Sequence, residues 1–102
     1  MPTVRIAAAA AEDLKGIWDY VAQHNPEAAS KLIKEITSRF AMLRDYPHIG
    51  RAQHRLAKDL RSFVVKGYFI FYRPFEDGVE VLRIIHGSRD IERIFERLLD
   101  SL

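Results

Sequence analysis

The stretch LRSFVVKGYFIFYRPFEDGVEVLRIIHGSRD, which runs from Leu60 to Asp90, decides the fold of this 102-residue chain. It is the part of the sequence richest in β-branched and aromatic residues, which favour strands. Two polar breaks, Lys66-Gly67 and Phe75 to Gly78, divide it into three short runs, and the second break contains the Asp-Gly pair typical of tight hairpin turns. The pattern predicts an antiparallel meander with strands at 60–66, 68–74 and 79–86.

In the middle run of the meander, Tyr68 to Pro74, the stretch Tyr68 to Tyr72 is apolar on both faces, whereas the two outer runs carry polar residues. A strand that is apolar on both faces is typical of the interior of a sheet. Pro74 ends the run because it has no N–H group to donate to a neighbouring strand. We therefore expect the middle strand to lie between the other two.

The chain before the meander predicts one strand and a helical hairpin. Polar and apolar residues alternate from Thr3 to Ile6, as in a strand laid beside the meander. Apolar residues then recur at helical spacing at Leu14, Ile17, Trp18 and Val21. This stripe predicts that Trp18 packs in the core and that Asp13 lies on the opposite, polar face. A second helix begins after the N-cap residue Asn25 and stops at Tyr46, before a proline.

The remaining segments complete an α+β fold. The segment from Pro47 to Ala57 contains Pro and Gly without a clear period, so we expect a loop with a helical turn. After the turn His86-Gly87-Ser88-Arg89-Asp90, apolar residues at helical spacing predict a short C-terminal helix. They are Ile91, Ile94, Phe95, Leu98 and Leu102. The length favours a single domain over residues 1–102.

Composition narrows the classes of protein that this chain can represent. It has no cysteine, which excludes disulfides, thiolate metal sites and cysteine nucleophiles, and we expect a cytoplasmic protein. No leader segment or membrane-length apolar run is present, so we expect it to be soluble, not exported and not associated with a membrane. His48 and His54 are read as exposed residues without a third ligand, and we expect no metal and no cofactor.

Basic residues are unevenly distributed along the chain. From Arg44 to Arg73 there are seven Lys or Arg residues against two Asp, so this segment carries +5 and the remainder −3, for a net charge of +2. Eleven of the sixteen basic residues are arginine, which suits bidentate recognition of carboxylate or phosphate. An anionic partner is one interpretation, and ordinary solvation of loops and strand faces is the other.

The candidate site residues gather around the end of the third meander strand. They are Arg61, Arg83, His86, Arg89 and Arg93. A metal-free ribonuclease would use the histidine as general base and the arginines to stabilise charge on the phosphate. Equally, Arg61 and Arg83 could pair with Glu80 or Asp59, while the histidine and Arg89 satisfy backbone groups in the turn. Phosphate-binding glycine loops, zinc-protease helices and serine-hydrolase elbows are absent from the sequence.

The chain resembles the ParE/RelE superfamily of toxins from bacterial type II toxin-antitoxin systems, and more closely the ParE branch. The resemblance rests on three segments in order, DLKGIWDYVAQHNPEAASKLI, YPHIGR and the meander through HGSRD, and it covers nearly all of the chain. It implies the same fold that the patterns predict: a strand, a helical hairpin, a three-stranded antiparallel meander and a short terminal helix.

The resemblance also bears on the choice between two modes of action. RelE-like members are ribosome-dependent messenger endonucleases that use basic residues on the strands and a C-terminal tyrosine. In this chain the basic positions fall on Leu60, Ser62 and Phe69, the tyrosine position falls on Phe95, and only Arg89 keeps a matching charge. The ParE branch lacks that cluster and inhibits DNA gyrase by stalling its cleaved-DNA intermediate, so the resemblance favours a gyrase-directed toxin that is not itself an enzyme.

The resemblance further implies a cognate antitoxin, ParD-like or similar, encoded beside the toxin and bound to it in a hetero-oligomer. The surface around Arg61, Arg83 and Arg89 is expected to meet either this antitoxin or gyrase. Two alternatives remain open: a RelE-type nuclease that uses His86 and Arg89, and a non-toxic module that only binds the antitoxin.

Overall fold

The computed structural model describes residues 1–100, with side chains through Leu98, and Leu102 of the predicted apolar stripe lies outside these residues. The elements in chain order are β1 (Thr3–Ile6), α1 (Ala8–Ala22), α2 (Pro26–Asp45), β2 (Arg51–Ala52), β3 (Arg61–Val65), β4 (Tyr68–Phe75), β5 (Gly78–His86) and α3 (Ile91–Asp100). The predicted α+β class is confirmed, and the three meander strands agree with the predicted bounds to within one residue at nearly every end.

The strands form one sheet in the order β1-β5-β4-β3-β2. β3, β4 and β5 are antiparallel neighbours, which confirms the predicted meander with β4 in its middle. β1 adds to the outer edge of β5 in parallel, so β5 is also an interior strand. The short β2, which the sequence pattern did not predict, pairs with the beginning of β3.

The two meander turns differ in how they use glycine. Lys66 and Gly67 both have positive φ, at 52° and 82°, as a two-residue hairpin turn requires. The second turn was expected at Asp77-Gly78, but Gly78 is instead the first residue of β5, with φ of 141°. Only glycine fits at this position, because a Cβ would collide with the backbone carbonyl of Thr3 on β1.

Helices cover both faces of the sheet. On one face, α1 and α2 enclose the larger core, whose strand residues include Ile70 and Tyr72 of β4. On the other face, α3 packs on a smaller cluster of four buried residues. These are Leu60, Phe71, Ile85 and Phe95. Because successive residues of a strand point to opposite faces, this three-layer arrangement explains why β4 is apolar on both faces from Tyr68 to Tyr72.

The helical hairpin has the predicted ends but a narrower apolar stripe. The Asn25 side chain accepts a hydrogen bond from the Ala28 N–H at 3.1 Å, which confirms the predicted N-cap of α2. Trp18 of α1 was expected in the core, and this was wrong, because its side chain is 40% exposed. Leu14 and Ile17 pack on the core instead, and Trp18 lies at the border of the stripe that they define.

The segment after α2 is tied to the sheet by two side chains. The Tyr72 hydroxyl donates to the carbonyl of Pro47 at 2.9 Å and accepts from the N–H of Gly50 at 2.8 Å. The Arg61 guanidinium donates to the carbonyls of Gly50 and His48 at 2.8 and 3.2 Å. These contacts satisfy the backbone of an otherwise irregular loop and place β2 beside β3.

Candidate functional site

Arg83 is bound to the helical hairpin by Asp13 of α1. Its guanidinium donates to the two Asp13 carboxylate oxygens at 2.7 and 2.9 Å, and the side chains are only 17% and 12% exposed. The Asp13 hydrogen bond raises the pKa of Arg83 above its usual value, against the opposing effect of burial. The expectation that Asp13 lies on a solvated face was therefore wrong, and neither Glu80 nor Asp59 pairs with Arg83.

The position of this ion pair follows from the end of β1. Beyond Ile6 the outer edge of β5 has no strand neighbour, and the backbone N–H of Ile84 donates to Asp13 instead, at 2.8 Å. Leu82 is an extra residue in β5, because Phe71 pairs with Arg83 while the next residue of β4 pairs with Val81. Asp13 thus stabilises a β-bulge at the point where the helical layer meets the sheet.

His86 lies at the end of β5 in a turn that fixes its imidazole ring. The Ser88 N–H donates to His86 Nδ1 at 3.1 Å, and the Ser88 hydroxyl lies 2.7 Å from the same nitrogen. Because the Ser88 N–H donates to Nδ1, this contact favours the neutral tautomer with its proton on Nε2. The ring also packs edge-on against Tyr68 of β4, with centroids 5.0 Å apart.

A cleft of about 580 Å³ opens between α1 and the His86 end of the sheet. Two tyrosines, Tyr20 from α1 and Tyr68 from β4, supply aromatic surface, and Tyr20 is 68% exposed. His86 and Arg89 supply polar groups on the turn side, and Glu12 supplies a carboxylate on the helix side. An aromatic cleft with a few polar groups at its rim is typical of a binding site.

Arg89 also begins a row of arginines that continues along α3. Arg89, Arg93 and Arg97 are exposed and line one depression of about 280 Å³. Asp90 in the same depression caps α3, its carboxylate accepting from the N–H of Arg93 at 3.2 Å. Among the side chains that the structure describes, none is ion-paired with these three arginines, so their guanidinium groups are available to a partner.

The structure therefore divides the five predicted site residues into two groups. His86 and Arg89 share the cleft, and Arg93 adjoins Arg89 in the α3 row. Arg61 is half-buried against loop carbonyls, and Arg83 is held by a carboxylate, so both make structural contacts. Neither of these two lines the cleft.

Tyr20, Glu12 and Arg97 are among the contributors to this surface that were missed at the sequence level. Tyr20 and Glu12 come from α1, far from the meander in sequence, and Arg97 lies one turn beyond the predicted cluster. For two of these residues the sequence did contain a pattern that could have identified them. Tyr20 lies outside the apolar stripe of α1, and Arg97 continues the four-residue spacing of Arg89 and Arg93.

The basic segment from Arg44 to Arg73 is largely paired with carboxylates. Four of its cations form surface ion pairs, with N···O distances of 2.9 to 3.9 Å. The pairs are Arg44–Asp45, Arg55–Glu92, Lys66–Glu35 and Arg73–Glu80. These pairs offset part of the positive charge that the sequence concentrates in this segment. The arginines of the α3 row are therefore the more available cationic surface.

The positions that the nuclease pattern would fill with catalytic groups form a packed interface under α3. Leu60 and Phe95 are 1% and 2% exposed, and the Phe95 ring packs edge-on against Phe71 with centroids 4.8 Å apart. Ser62 is buried and its hydroxyl accepts from the Gln53 side chain at 2.9 Å. Phe69 stacks on Phe71. No charged side chain lies among these four positions.

Metal-binding clusters and membrane-spanning helices are both absent from residues 1–100. No group of three or more His, Asp or Glu side chains in this part of the chain is placed to hold a metal ion. None of the helices described for it is long and apolar enough to cross a membrane. His48 and His54, predicted to be exposed, are exposed in the structure.

A strand, a helical hairpin, an antiparallel meander and a short terminal helix define an α+β fold of the RelE/ParE class. The profile described as the ParE toxin of the type II toxin-antitoxin system parDE matches residues 4–91. The chain therefore belongs to the ParE toxin family.

Relatives and a solved structure agree with this assignment. The toxin RelE3 of Caulobacter vibrioides is 31% identical over 88 residues, which are 85% of this chain and 96% of that protein. The toxin ParE3 of the same organism is 32% identical over 80 residues, which are 78% of this chain and 80% of that protein. A structure described as the chromosomal ParDE TA system from P. aeruginosa has a TM-score of 0.72 and 24% identity, covering 84% of this chain and 96% of that chain.

Proposed function

We propose that this protein is a toxin that inhibits DNA gyrase by binding to it and stalling the cleaved-DNA intermediate, and that a cognate antitoxin neutralises it. Membership of the ParE toxin family supports the choice of gyrase, because the parDE description attaches to a match that spans most of the chain. In this proposal the toxin contributes a binding surface, and the strand breakage is carried out by gyrase.

The observation that carries the proposal is the apolar interface under α3. A nuclease would need cationic or proton-transferring groups where Leu60 and Phe95 are buried, and apolar side chains cannot stabilise a developing phosphorane charge. Leu60, Phe71, Ile85 and Phe95 instead fix α3 to the sheet. The face that carries catalysis in the nuclease pattern is thus occupied by packing, which favours action through a binding surface.

The surface that we assign to the target comprises the cleft and its arginine rim. Tyr20 offers an exposed aromatic side chain, and Arg89 offers a guanidinium beside it. Tyr and Arg are the residue types most enriched at energetically dominant positions of protein interfaces. Arg93 lies outside the cleft, in the adjoining depression along α3.

We assign the antitoxin to the same region, as an anionic partner that competes with gyrase. Neutralisation follows directly if the antitoxin covers Arg89 and the cleft, because gyrase then cannot reach them. The toxin and antitoxin would form a hetero-oligomer in the cytoplasm. A short neighbouring reading frame with an N-terminal DNA-binding pattern would identify the antitoxin gene.

Two parallel assays test the proposal. Purified protein is added to a gyrase supercoiling reaction with detection of linear cleaved DNA, and separately to translating ribosomes with toeprint mapping of the messenger. We expect accumulation of cleaved DNA, reversed by the antitoxin, and no messenger cleavage. Ribosomal A-site cleavage without an effect on gyrase would overturn the proposal.

The second candidate function is a RelE-type ribosome-dependent endonuclease. Two observations favour keeping it: the relative RelE3 is 31% identical, and His86 and Arg89 lie together in one open cleft. In that case His86 would transfer a proton to or from the substrate in the cleft, and Arg89 would stabilise the phosphate. Variants His86→Ala and Arg89→Gln would then abolish toeprint-mapped cleavage. Protein that is inert in both assays but binds the antitoxin tightly would instead be a non-toxic binding module.

A further inference from the structure

The spacing of the arginines in the α3 row can be compared with the spacing of phosphates in a nucleic acid backbone. Arg93 and Arg97 are four residues apart on α3 and so about 6 Å apart along the helix axis, and Arg89, in the turn before the helix, lines the same depression. A strand of duplex DNA carries a phosphate about every 3.4 Å along its axis. A row with this spacing can therefore contact several phosphates.

The two flanks of α3 carry opposite charges. Glu92 and Glu96 lie on the flank that faces the loop before β3, where Glu92 pairs with Arg55 at 2.9 Å. The arginines occupy the other flank, together with Asp90, whose carboxylate is engaged in capping the helix. The row is thus a cationic strip whose three arginines form no ion pair with a described carboxylate.

The composition of this strip favours a nucleic acid backbone over a peptide as its binding partner. A protein partner needs apolar or aromatic anchors at the centre of its interface. The depression along the row contains one apolar residue, Ile94, whereas the aromatic anchors Tyr20 and Tyr68 lie in the separate cleft beyond Arg89. A surface built almost wholly of guanidinium groups matches phosphates, which it can bind bidentately without apolar contact.

We infer that Arg89, Arg93 and Arg97 contact the phosphate backbone of double-stranded DNA, while the adjoining cleft contacts protein. The inference rests on the proposed function, since gyrase is the partner that would hold duplex DNA beside the toxin. Arg89 joins the two surfaces and is shared between them. The toxin would then bind the enzyme and its cleaved DNA together, and this explains how it could favour that intermediate.

The first experiment measures DNA binding without gyrase. Fluorescence anisotropy of a short labelled duplex is titrated with wild-type protein between about 50 and 200 mM salt, where non-specific binding by three phosphate contacts is steeply salt-dependent. The triple variant Arg89→Gln, Arg93→Gln, Arg97→Gln is compared with Lys31→Gln, Lys34→Gln, Arg39→Gln, which removes the same charge from exposed positions of α2.

We expect the wild type and the α2 control to bind the duplex weakly, with similar salt slopes. The α3 variant should reduce the slope of log K against log salt by about 2 to 3, since each lost phosphate contact accounts for roughly 0.9. No anisotropy change for the wild type at the lowest salt, or equal slopes for the two variants, would overturn the inference. So would loss of antitoxin binding by the α3 variant with duplex binding unchanged, because the row would then be a peptide contact.

A second experiment separates this inference from the proposed function. Gyrase is assayed for accumulation of cleaved DNA, and for capture of the toxin in the absence of DNA. We expect the double variant Arg93→Gln, Arg97→Gln, which leaves the shared Arg89 intact, to be captured normally but to accumulate less cleaved DNA than the wild type. If the wild type has no effect on gyrase, the proposed function fails. If the wild type stalls gyrase and the double variant does so equally at the lowest salt tested, the inference fails while the proposed function stands.

Discussion

The Asp13 carboxylate on α1 accepts two hydrogen bonds from the Arg83 guanidinium on β5, at 2.7 and 2.9 Å, and a third from the Ile84 N–H at 2.8 Å. This single group joins the helical layer to the sheet across 70 residues of sequence. Because both side chains are mostly buried, removal of one leaves the other with unsatisfied polar atoms.

Asp13→Asn should lower the free energy of unfolding by about 2 to 4 kcal/mol, since it leaves a buried guanidinium without its counter-charge. A double-mutant cycle with Arg83→Met, measured by urea denaturation, should give a coupling energy of about 1 to 3 kcal/mol. Glu80→Gln is the control, because the Arg73–Glu80 pair is at the surface and its loss should cost less than about 1 kcal/mol. Equal costs for Asp13→Asn and Glu80→Gln would contradict a structural role for the buried pair.

Tyr72→Phe should release the segment after α2. The variant leaves the Pro47 carbonyl and the Gly50 N–H without their partner, at a cost of about 1 to 3 kcal/mol. Hydrogen exchange of the Gly50 amide reports the release directly. Unchanged protection of that amide would show that the hydroxyl does not hold the loop.

The loss of stability caused by Tyr72→Phe should depend on pH, in a direction that follows from the pKa of Tyr72. Burial raises the pKa of Tyr72 above its ordinary value, so the folded state keeps the phenolic proton at a pH where the unfolded chain loses it. The associated stability is complete below the ordinary tyrosine pKa of about 10 and is lost as the pH rises towards the folded pKa. The difference in stability between wild type and Tyr72→Phe should therefore shrink above about pH 10. A difference that grows in this range would contradict the assignment.

Glycine substitutions should distinguish a required glycine from a tolerated one. Gly78→Ala places a methyl group against the Thr3 backbone at a φ of 141°, so we expect β1 to separate from β5 and the melting temperature to fall. Gly16→Ala lies inside α1 with nothing within 4 Å of the added carbon, and should stabilise by about 0.5 to 1 kcal/mol. Thermal unfolding of both variants checks the pair, and a stabilised Gly78→Ala protein would show that β1 is not closely packed.

The elements of the fold were predictable because they depend on local patterns. Strand runs, turn residues, the Asn25 cap and the helical spacing each act over a few residues, and the structure has them within one residue of the predicted ends in most cases. β2 was missed because two residues are too few to show a period. Trp18 was misplaced because helical spacing identifies a stripe but not its border, and tertiary contacts decide which residue lies outside it.

The candidate site was predictable only in part, because its chemistry depends on residues far apart in sequence. Residue types suggested Arg61, Arg83, His86, Arg89 and Arg93 as one cluster. The ion pair with Asp13 and the loop carbonyls that bind Arg61 both cross long sequence separations, so no local pattern showed that these two arginines are already bound. Tyr20 reaches the cleft only because α1 packs across the sheet.

Tyr20→Ala should separate binding from folding. The side chain is 68% exposed, so we expect a change in stability within about 0.5 kcal/mol. Growth inhibition and antitoxin affinity should both fall, because the proposed interface loses an aromatic anchor. Tyr46→Ala is the matched control, since Tyr46 is 66% exposed but lies at the far end of α2 from the cleft. Equal toxicity of the two variants would place the partner surface elsewhere.

Phe95→Tyr tests whether the apolar interface under α3 excludes the nuclease chemistry. The substitution supplies the hydroxyl that the nuclease pattern has at this position, but Phe95 is 2% exposed among Leu60, Phe71 and Ile85, which offer it no hydrogen-bond partner. Burial of an unpaired hydroxyl should cost about 1 to 3 kcal/mol. We therefore expect a less stable protein that still yields no cleavage in the ribosome toeprint assay.

Phe95→Leu is the control for this prediction, because it removes the Phe71 ring contact without adding a polar atom. Both variants should loosen α3, which hydrogen exchange of its amides would detect, and neither should gain nuclease activity. The phosphate-binding positions remain apolar at Leu60 and Phe69, so a hydroxyl alone has no charged group to act with. Messenger cleavage gained by Phe95→Tyr and not by Phe95→Leu would show that the other catalytic groups are already in place, and the gyrase proposal would then have to be abandoned.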